Sequence, residues 1–173
     1  MLELLPLMQR ALEVARHGAA VGEPPFGAIL VGSSGELVAT LSDQVRSFRD
    51  FTRHAEIEIV RMAVAARGPD LRGFTLITTV EPCPMCFTAA WLARISRIVY
   101  GTTMAAVAAA TQGAHHVGQF RQRESNFRAR REVRETEVDR VRARIHGGVE
   151  LRPIAHGAED FRLLYTHMLT LLF

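Results

Sequence analysis

The sequence predicts an α/β fold in which helices cover both faces of a central sheet, and three observations support this. Short apolar runs typical of strands alternate with stretches of helical periodicity along the chain. At 173 residues, the chain is long enough for one domain with a sizeable core. A first helix ending near residue 17 is indicated by apolar residues at helical spacing: Leu2, Leu5, Met8, Leu12 and Ala15.

The remaining elements follow in order. Two strands joined by a tight turn at Ser33-Ser34-Gly35 come first, then a polar loop at 42–53. A second helix begins near His54 and ends at Gly68-Pro69, and a third begins near Met85. Residues 104–118 permit a helix, and 119–145 and 159–173 are predicted helices. The predicted strands are 26–31, 36–40, 74–80, 95–101 and 149–154. No linker divides the chain, so we expect a single domain over residues 1–173 with a charged Arg-rich helical segment at about 119–146.

Composition describes an ordinary globular protein, with 48% hydrophobic and 23% charged residues. The N-terminus lacks the pattern of a signal peptide, and no apolar run has the length of a membrane span. With two cysteines there is no disulfide framework. We therefore expect a cytoplasmic protein with no membrane contact.

Basic charge is concentrated in one segment. Between residues 121 and 144, nine arginines stand against five acidic residues, although the net formal charge of the chain is only +3. A basic stripe can be a footprint for RNA. Here the acidic residues are interleaved with the arginines, which is typical of a solvated helix or an oligomer contact.

Two short motifs carry the chemistry. His54-Ala55-Glu56 is followed by Pro82-Cys83-Pro84-Met85-Cys86, which contains both cysteines of the chain. Imidazole nitrogen and thiolate sulfur are preferred zinc ligands, and a catalytic zinc keeps three protein ligands and leaves its fourth position to water. The residue order of the two motifs also matches the H-x-E and P-C-x-x-C signature of zinc nucleobase deaminases. Two alternatives remain open: a redox C-x-x-C pair, and a structural zinc closed by His115 or His116.

With these residues, the chain resembles the cytidine-deaminase superfamily. It is most similar to guanine deaminases and, less so, to tRNA adenosine deaminases and yeast-type cytosine deaminases. The matching segments are 23–28, 54–57, 81–86 and 93–95. The resemblance implies a three-layer α/β/α sandwich with a five-stranded mixed sheet, one zinc per chain and a homodimer. It also implies hydrolytic deamination of a free amino-purine, a related amino-heterocyclic base or a nucleoside.

The resemblance assigns roles to individual residues. It makes His54, Cys83 and Cys86 the zinc ligands and Glu56 the catalytic proton shuttle. The substrate-binding residues it implies are Phe26 against the ring, the backbone at Ala55, Asp43 and His115.

Two of these substrate contacts depart from the family. Asp43 stands where the family usually has an asparagine that reads the base; an amide donates and accepts, whereas a carboxylate only accepts. His115-His116 takes the place of an acidic pair of guanine deaminases. We therefore expect a guanine-deaminase-like enzyme with altered base reading. The alternatives are a tRNA adenosine deaminase, a cytosine deaminase, and a non-catalytic, zinc-stabilised RNA-binding module.

Overall fold

The computed structural model describes residues 3–110 and 150–153. The helices are α1 (Leu4–Ala20), α2 (Val45–Phe48), α3 (Ala55–Arg67), α4 (Pro84–Leu92) and α5 (Met104–Ala110). The strands are β1 (Gly27–Val31), β2 (Leu37–Ser42), β3 (Thr75–Val80), β4 (Arg97–Thr102) and β5 (Glu150–Pro153). Within these ranges, none of the helices has both the length and the apolar character needed to cross a bilayer.

The strands form one mixed sheet in the order β2-β1-β3-β4-β5. β1 runs antiparallel to both β2 and β3, whereas β3, β4 and β5 are parallel. The antiparallel pair can be closed by a tight turn, in which Gly35 takes φ = +94°. The parallel pair β3 and β4 needs a crossover, and α4 supplies it. An α/β fold with a mixed sheet is therefore confirmed.

β1 is buried on both of its faces, which explains its uninterrupted apolar sequence. Ile29 and Val31 belong to an apolar cluster with Met8, Ala11 and Leu12 of α1. The alternate residues of the strand belong to a second cluster, with α3 and α4. Side chains of successive strand residues point to opposite faces, so each face of β1 meets its own set of helices.

The structure differs from the sequence expectations mainly between β2 and α3. The predicted polar loop at 42–53 contains the short helix α2, and β2 extends to Ser42 because that residue pairs with Gly27. Of the predicted helix at 104–118, the described part is α5. The predictions for the Arg-rich segment, His115, His116 and the last helix concern residues outside the described ranges.

Candidate metal centre and active site

The three expected zinc ligands lie at the N-terminal ends of two helices. His54 is the N-cap of α3, Cys83 is the N-cap of α4, and Cys86 lies in the first turn of α4. Pro84 occupies the first turn of α4, where its missing N–H costs no hydrogen bond. The strand β3 ends three residues before Cys83, so the sheet delivers the chain directly to this position. Helix N-termini favour negative charge, and thus favour thiolates.

The ligand atoms are spaced as a tetrahedral zinc requires. His54 Nδ1 lies 3.4 Å from Cys86 Sγ and 3.7 Å from Cys83 Sγ, and the two sulfur atoms are 3.5 Å apart. Ordinary Zn–N and Zn–S bond lengths place tetrahedral ligand atoms about 3.5–3.8 Å from one another. These three residues could therefore hold a zinc ion. In the described ranges, the cluster contains no fourth His, Cys, Asp or Glu ligand.

The three ligand side chains shift one another's pKa values. A hydrogen bond from the Cys86 thiol lowers the pKa of Cys83 to about 4, and His54 acts in the same direction. Burial alone would lower the pKa of His54, but the Cys83 thiolate and the carboxylates of Asp43 and Glu56 raise it to about 9. The hydrogen bond that the Cys86 thiol donates to Cys83, together with burial, raises the pKa of Cys86.

Glu56 lies in the first turn of α3, beside the metal ligands but not among them. Its side chain is buried, with 6% exposure. Its Oε1 lies 3.5 Å from the hydroxyl of Thr78 on β3, which also donates to the carbonyl of Val80 at 3.0 Å. Burial raises the pKa of Glu56, while His54 acts in the opposite direction. A raised pKa makes a carboxyl a stronger base, which suits it to accept and return a proton during a reaction. The Thr78 contact was not expected from the sequence, since nothing local links two residues 22 positions apart.

Asp43 follows β2 directly and is fully buried. Its Oδ1 accepts a hydrogen bond of 2.7 Å from the backbone N–H of Ala55, the first residue of α3. Its Oδ2 has no hydrogen-bond partner within the described residues. Burial, with the nearby charge of Glu56, raises the pKa of Asp43 well above its ordinary value. Asp43 is therefore tied to the turn that carries His54 and Glu56, whereas Arg46 bonds elsewhere, to the carbonyl of Gly22.

The other expected substrate contacts are Phe26, Ala55 and His115. Phe26 is 8% exposed and belongs to the apolar cluster on the α1 side of the sheet. Ala55 is buried, and its N–H is engaged by Asp43. His115 lies outside the described residues. For all three, contact with a substrate stays a prediction.

Comparison with known proteins identifies the family. A family model described as the cytidine and deoxycytidylate deaminase zinc-binding region matches residues 3–102. The chain belongs to this family. The matched residues include the whole metal centre described above, so the zinc-binding region of the deaminase family is present with its ligand set intact.

Proteins similar to this chain are named for different activities. The chain is 42% identical over 102 residues to a tRNA-specific adenosine deaminase of Agrobacterium fabrum, covering 58% of this chain and 66% of the relative. It is 44% identical over 97 residues to a tRNA(Ile)-lysidine synthase of Deinococcus deserti, covering 56% of this chain and 18% of that protein. The crystal structure of Bacillus subtilis guanine deaminase superposes with a TM-score of 0.59 at 33% identity, over 64% of this chain and 70% of that one.

These comparisons confirm the resemblance to zinc deaminases and leave the substrate open. The chain spans less than a fifth of the synthase and about two thirds of the adenosine deaminase. The redox interpretation of Cys83 and Cys86 loses its basis, because the family uses this pair in a zinc-binding region.

Proposed function

We propose that this protein is a zinc-dependent hydrolytic deaminase of a free amino-purine, a related amino-heterocyclic base or its nucleoside. The observation that supports it most is the position of Glu56. A buried carboxylate with a raised pKa lies beside a three-ligand zinc site and is not one of the ligands. A purely structural zinc site has no use for such a residue.

Each residue of the site has a separate task in this reaction. When bound by His54, Cys83 and Cys86, zinc supplies Lewis-acid activation of water near neutral pH. Glu56 takes a proton from the water and delivers it to a ring nitrogen. It then takes the second proton from the new hydroxyl group on the ring carbon and passes it to the departing amine. A C–O bond forms at the amine-bearing carbon, the C–N bond breaks, and ammonia leaves. The hydroxyl of Thr78, which donates to the carbonyl of Val80, lies 3.5 Å from Glu56 Oε1 and so borders the carboxylate.

Recognition of the base is assigned to the segments around this centre. The unpartnered Oδ2 of Asp43 provides a polar contact for the substrate. Phe26 would lie against the ring, the backbone at Ala55 would contact its polar edge, and His115 would contribute from beyond the described residues. The N–H of Ala55 is donated to Asp43 Oδ1, which ties these two expected contacts together.

A tRNA adenosine deaminase is the second candidate. It is supported by the 42% identity to the Agrobacterium enzyme and by the Arg-rich segment at 121–144. The interleaved acidic residues of that segment weaken the case, because they reduce its attraction for phosphates.

Ammonia release by the zinc-loaded protein tests the proposal. The panel would contain guanine, adenine, cytosine, isoguanine, amino-triazines and pterins, the corresponding nucleosides, and a tRNA anticodon stem-loop. Turnover of a small ring, lost in Glu56→Gln, supports the first proposal. Turnover of the stem-loop alone would replace it with the second candidate. Silence on every substrate, with tRNA retained in a salt-dependent gel shift, would favour a non-catalytic RNA-binding module.

We also propose that helices form a layer on each side of the five-stranded sheet, in a three-layer α/β/α arrangement, and that the protein is a homodimer. The two apolar clusters, one built with α1 and the other with α3 and α4, support the layering. A crystal structure would test the layers, and light scattering on the purified protein would test the dimer.

A further inference from the structure

Glu23 is a buried carboxylate that the mechanism above does not use. It precedes β1 in the segment 22–26 and is 4% exposed. Each of its oxygens accepts one backbone N–H, from Arg46 at 2.9 Å and from Ser47 at 2.8 Å. Burial alone would raise the pKa of Glu23, but these hydrogen bonds hold it below the ordinary value. The carboxylate is therefore ionised, and both of its oxygens are hydrogen-bonded to a segment more than twenty residues away.

Those two amides belong to the first turn of α2, which has no cap of its own. The N-cap residue Gln44 makes no side-chain hydrogen bond to the helix. A local Ser, Asp or Asn at that position would satisfy the same amides. The chain instead uses an acceptor from another segment, so the interaction links two loops as well as capping a helix.

Two further hydrogen bonds join the same pair of segments. The guanidinium of Arg46 donates to the carbonyl of Gly22 at 3.1 Å, and the N–H of Asp43 donates to the carbonyl of Phe26 at 3.1 Å. The first segment carries Phe26, and the second begins with Asp43. Asp43 in turn accepts from Ala55 at the start of α3, next to His54 and Glu56.

We propose that Glu23 is a positioning residue that fixes the segment carrying Asp43 against the segment carrying Phe26, and thereby governs how tightly the substrate is held. This inference rests on the proposed function, because it takes Phe26 and Asp43 as substrate contacts. Glu23 has no place in the metal centre or in the proton transfer. Its loss therefore acts on substrate binding and leaves the chemical step largely intact.

The direct test is Glu23→Gln, which keeps the size of the side chain but turns an NH₂ group towards one of the two amides. We expect the KM to rise about tenfold, as for loss of a hydrogen bond to a charged group, while kcat changes less than about threefold. Zinc content should stay at one per chain. Arg46→Ala keeps the backbone N–H that Glu23 accepts but removes the link to Gly22 and a positive charge near Glu23, and should raise the KM by a smaller factor. Glu13→Gln, at an exposed glutamate of α1 paired with Arg10, is the matched control and should change nothing.

Hydrogen exchange provides a readout that needs no substrate. In Glu23→Gln, the amides of 43–47 should exchange faster, while those of β3 and α4 keep their protection. Unchanged protection at 43–47 would overturn the proposal. So would a fall in kcat at constant KM, or a loss of activity that follows zinc content alone. If the wild-type protein turns over no substrate, the proposed function fails, and the exchange measurement alone decides whether Glu23 joins the two segments.

Discussion

Two glutamates in the first turn of α3 show how surroundings separate the roles of identical side chains. Glu56 and Glu58 are both buried. Glu58 forms ion pairs with Arg53 at 3.0 Å and Arg61 at 2.6 Å, whereas Glu56 lies beside His54 and the hydroxyl of Thr78. Both guanidinium groups contact the same oxygen of Glu58, which gives this carboxylate a structural role. Glu56, with its raised pKa, suits the role of proton shuttle.

The pair supplies a matched test of catalysis. Glu56→Gln should retain zinc and fold but lose about 10²–10⁴-fold in kcat, the usual contribution of general acid–base catalysis. Glu58→Gln removes an ion-pair network instead, and should change kcat by no more than roughly threefold. Steady-state kinetics with metal analysis on both variants makes the comparison. Near-normal turnover by Glu56→Gln would show that another group moves the proton.

Asp43 allows a test of base selection that leaves the fold unchanged. In Asp43→Asn, the amide oxygen can still accept from the N–H of Ala55. The second atom changes from an oxygen that donates only when protonated to an NH₂ group that always donates. We expect kcat/KM for guanine to rise relative to adenine, because a donor now faces the carbonyl of guanine. Competition kinetics on mixed bases measures the ratio. An unchanged ratio would mean that Asp43 only holds the start of α3 and does not select the base.

At the scale of elements, the metal centre depends on the convergence of the N-termini of α3 and α4. The sequence could predict this centre, because each motif is local and each lies at a helix start that local signals also mark. It could not predict α2, whose first turn is held by Glu23 from before β1. Nor could it predict that Thr78 reaches Glu56, since that contact depends on how β3 packs beneath α3. Interactions across segments depend on register and packing, which the spacing of residues does not encode.

The pKa values of His54, Cys83 and Cys86, at the starts of α3 and α4, predict how zinc affinity depends on pH. The pKa of His54 is raised to about 9 and the pKa of the Cys86 thiol is also raised, whereas the pKa of Cys83 is lowered to about 4. Zinc requires neutral imidazole and thiolates, so binding should release about two protons. Affinity should therefore fall as the pH is lowered. Calorimetry in buffers of different ionisation enthalpy counts the protons, and a count near zero would contradict this protonation scheme.

At the scale of the whole molecule, α1 is held against the sheet by a close backbone approach at Gly27. A Cβ at this position would collide with the backbone carbonyl of Ala11 and approach the N–H of Ala15. Both obstacles are main chain, so they cannot move aside without shifting α1.

Gly27→Ala should therefore lower the free energy of unfolding by about 1–3 kcal/mol, as overpacking usually does. Urea denaturation measures the change. Gly35→Asn is the control, because a Cβ there meets open space and Asn tolerates a positive φ. Equal stability of Gly27→Ala and the wild-type protein would mean that α1 can move away from β1.

The pairing of Gly27 with Ser42 has a practical consequence for the β1–β2 hairpin. Phe26 and Asp43 flank this pair, at the end of the hairpin remote from its turn, and the irregularity in register lies at the other end, between Leu30 and Val31. Extra residues in the turn would therefore be absorbed without altering the spacing of the two side chains. A peptide label inserted between Ser34 and Gly35 should leave kcat/KM unchanged, giving a place to attach a fluorophore or surface tether to a working enzyme.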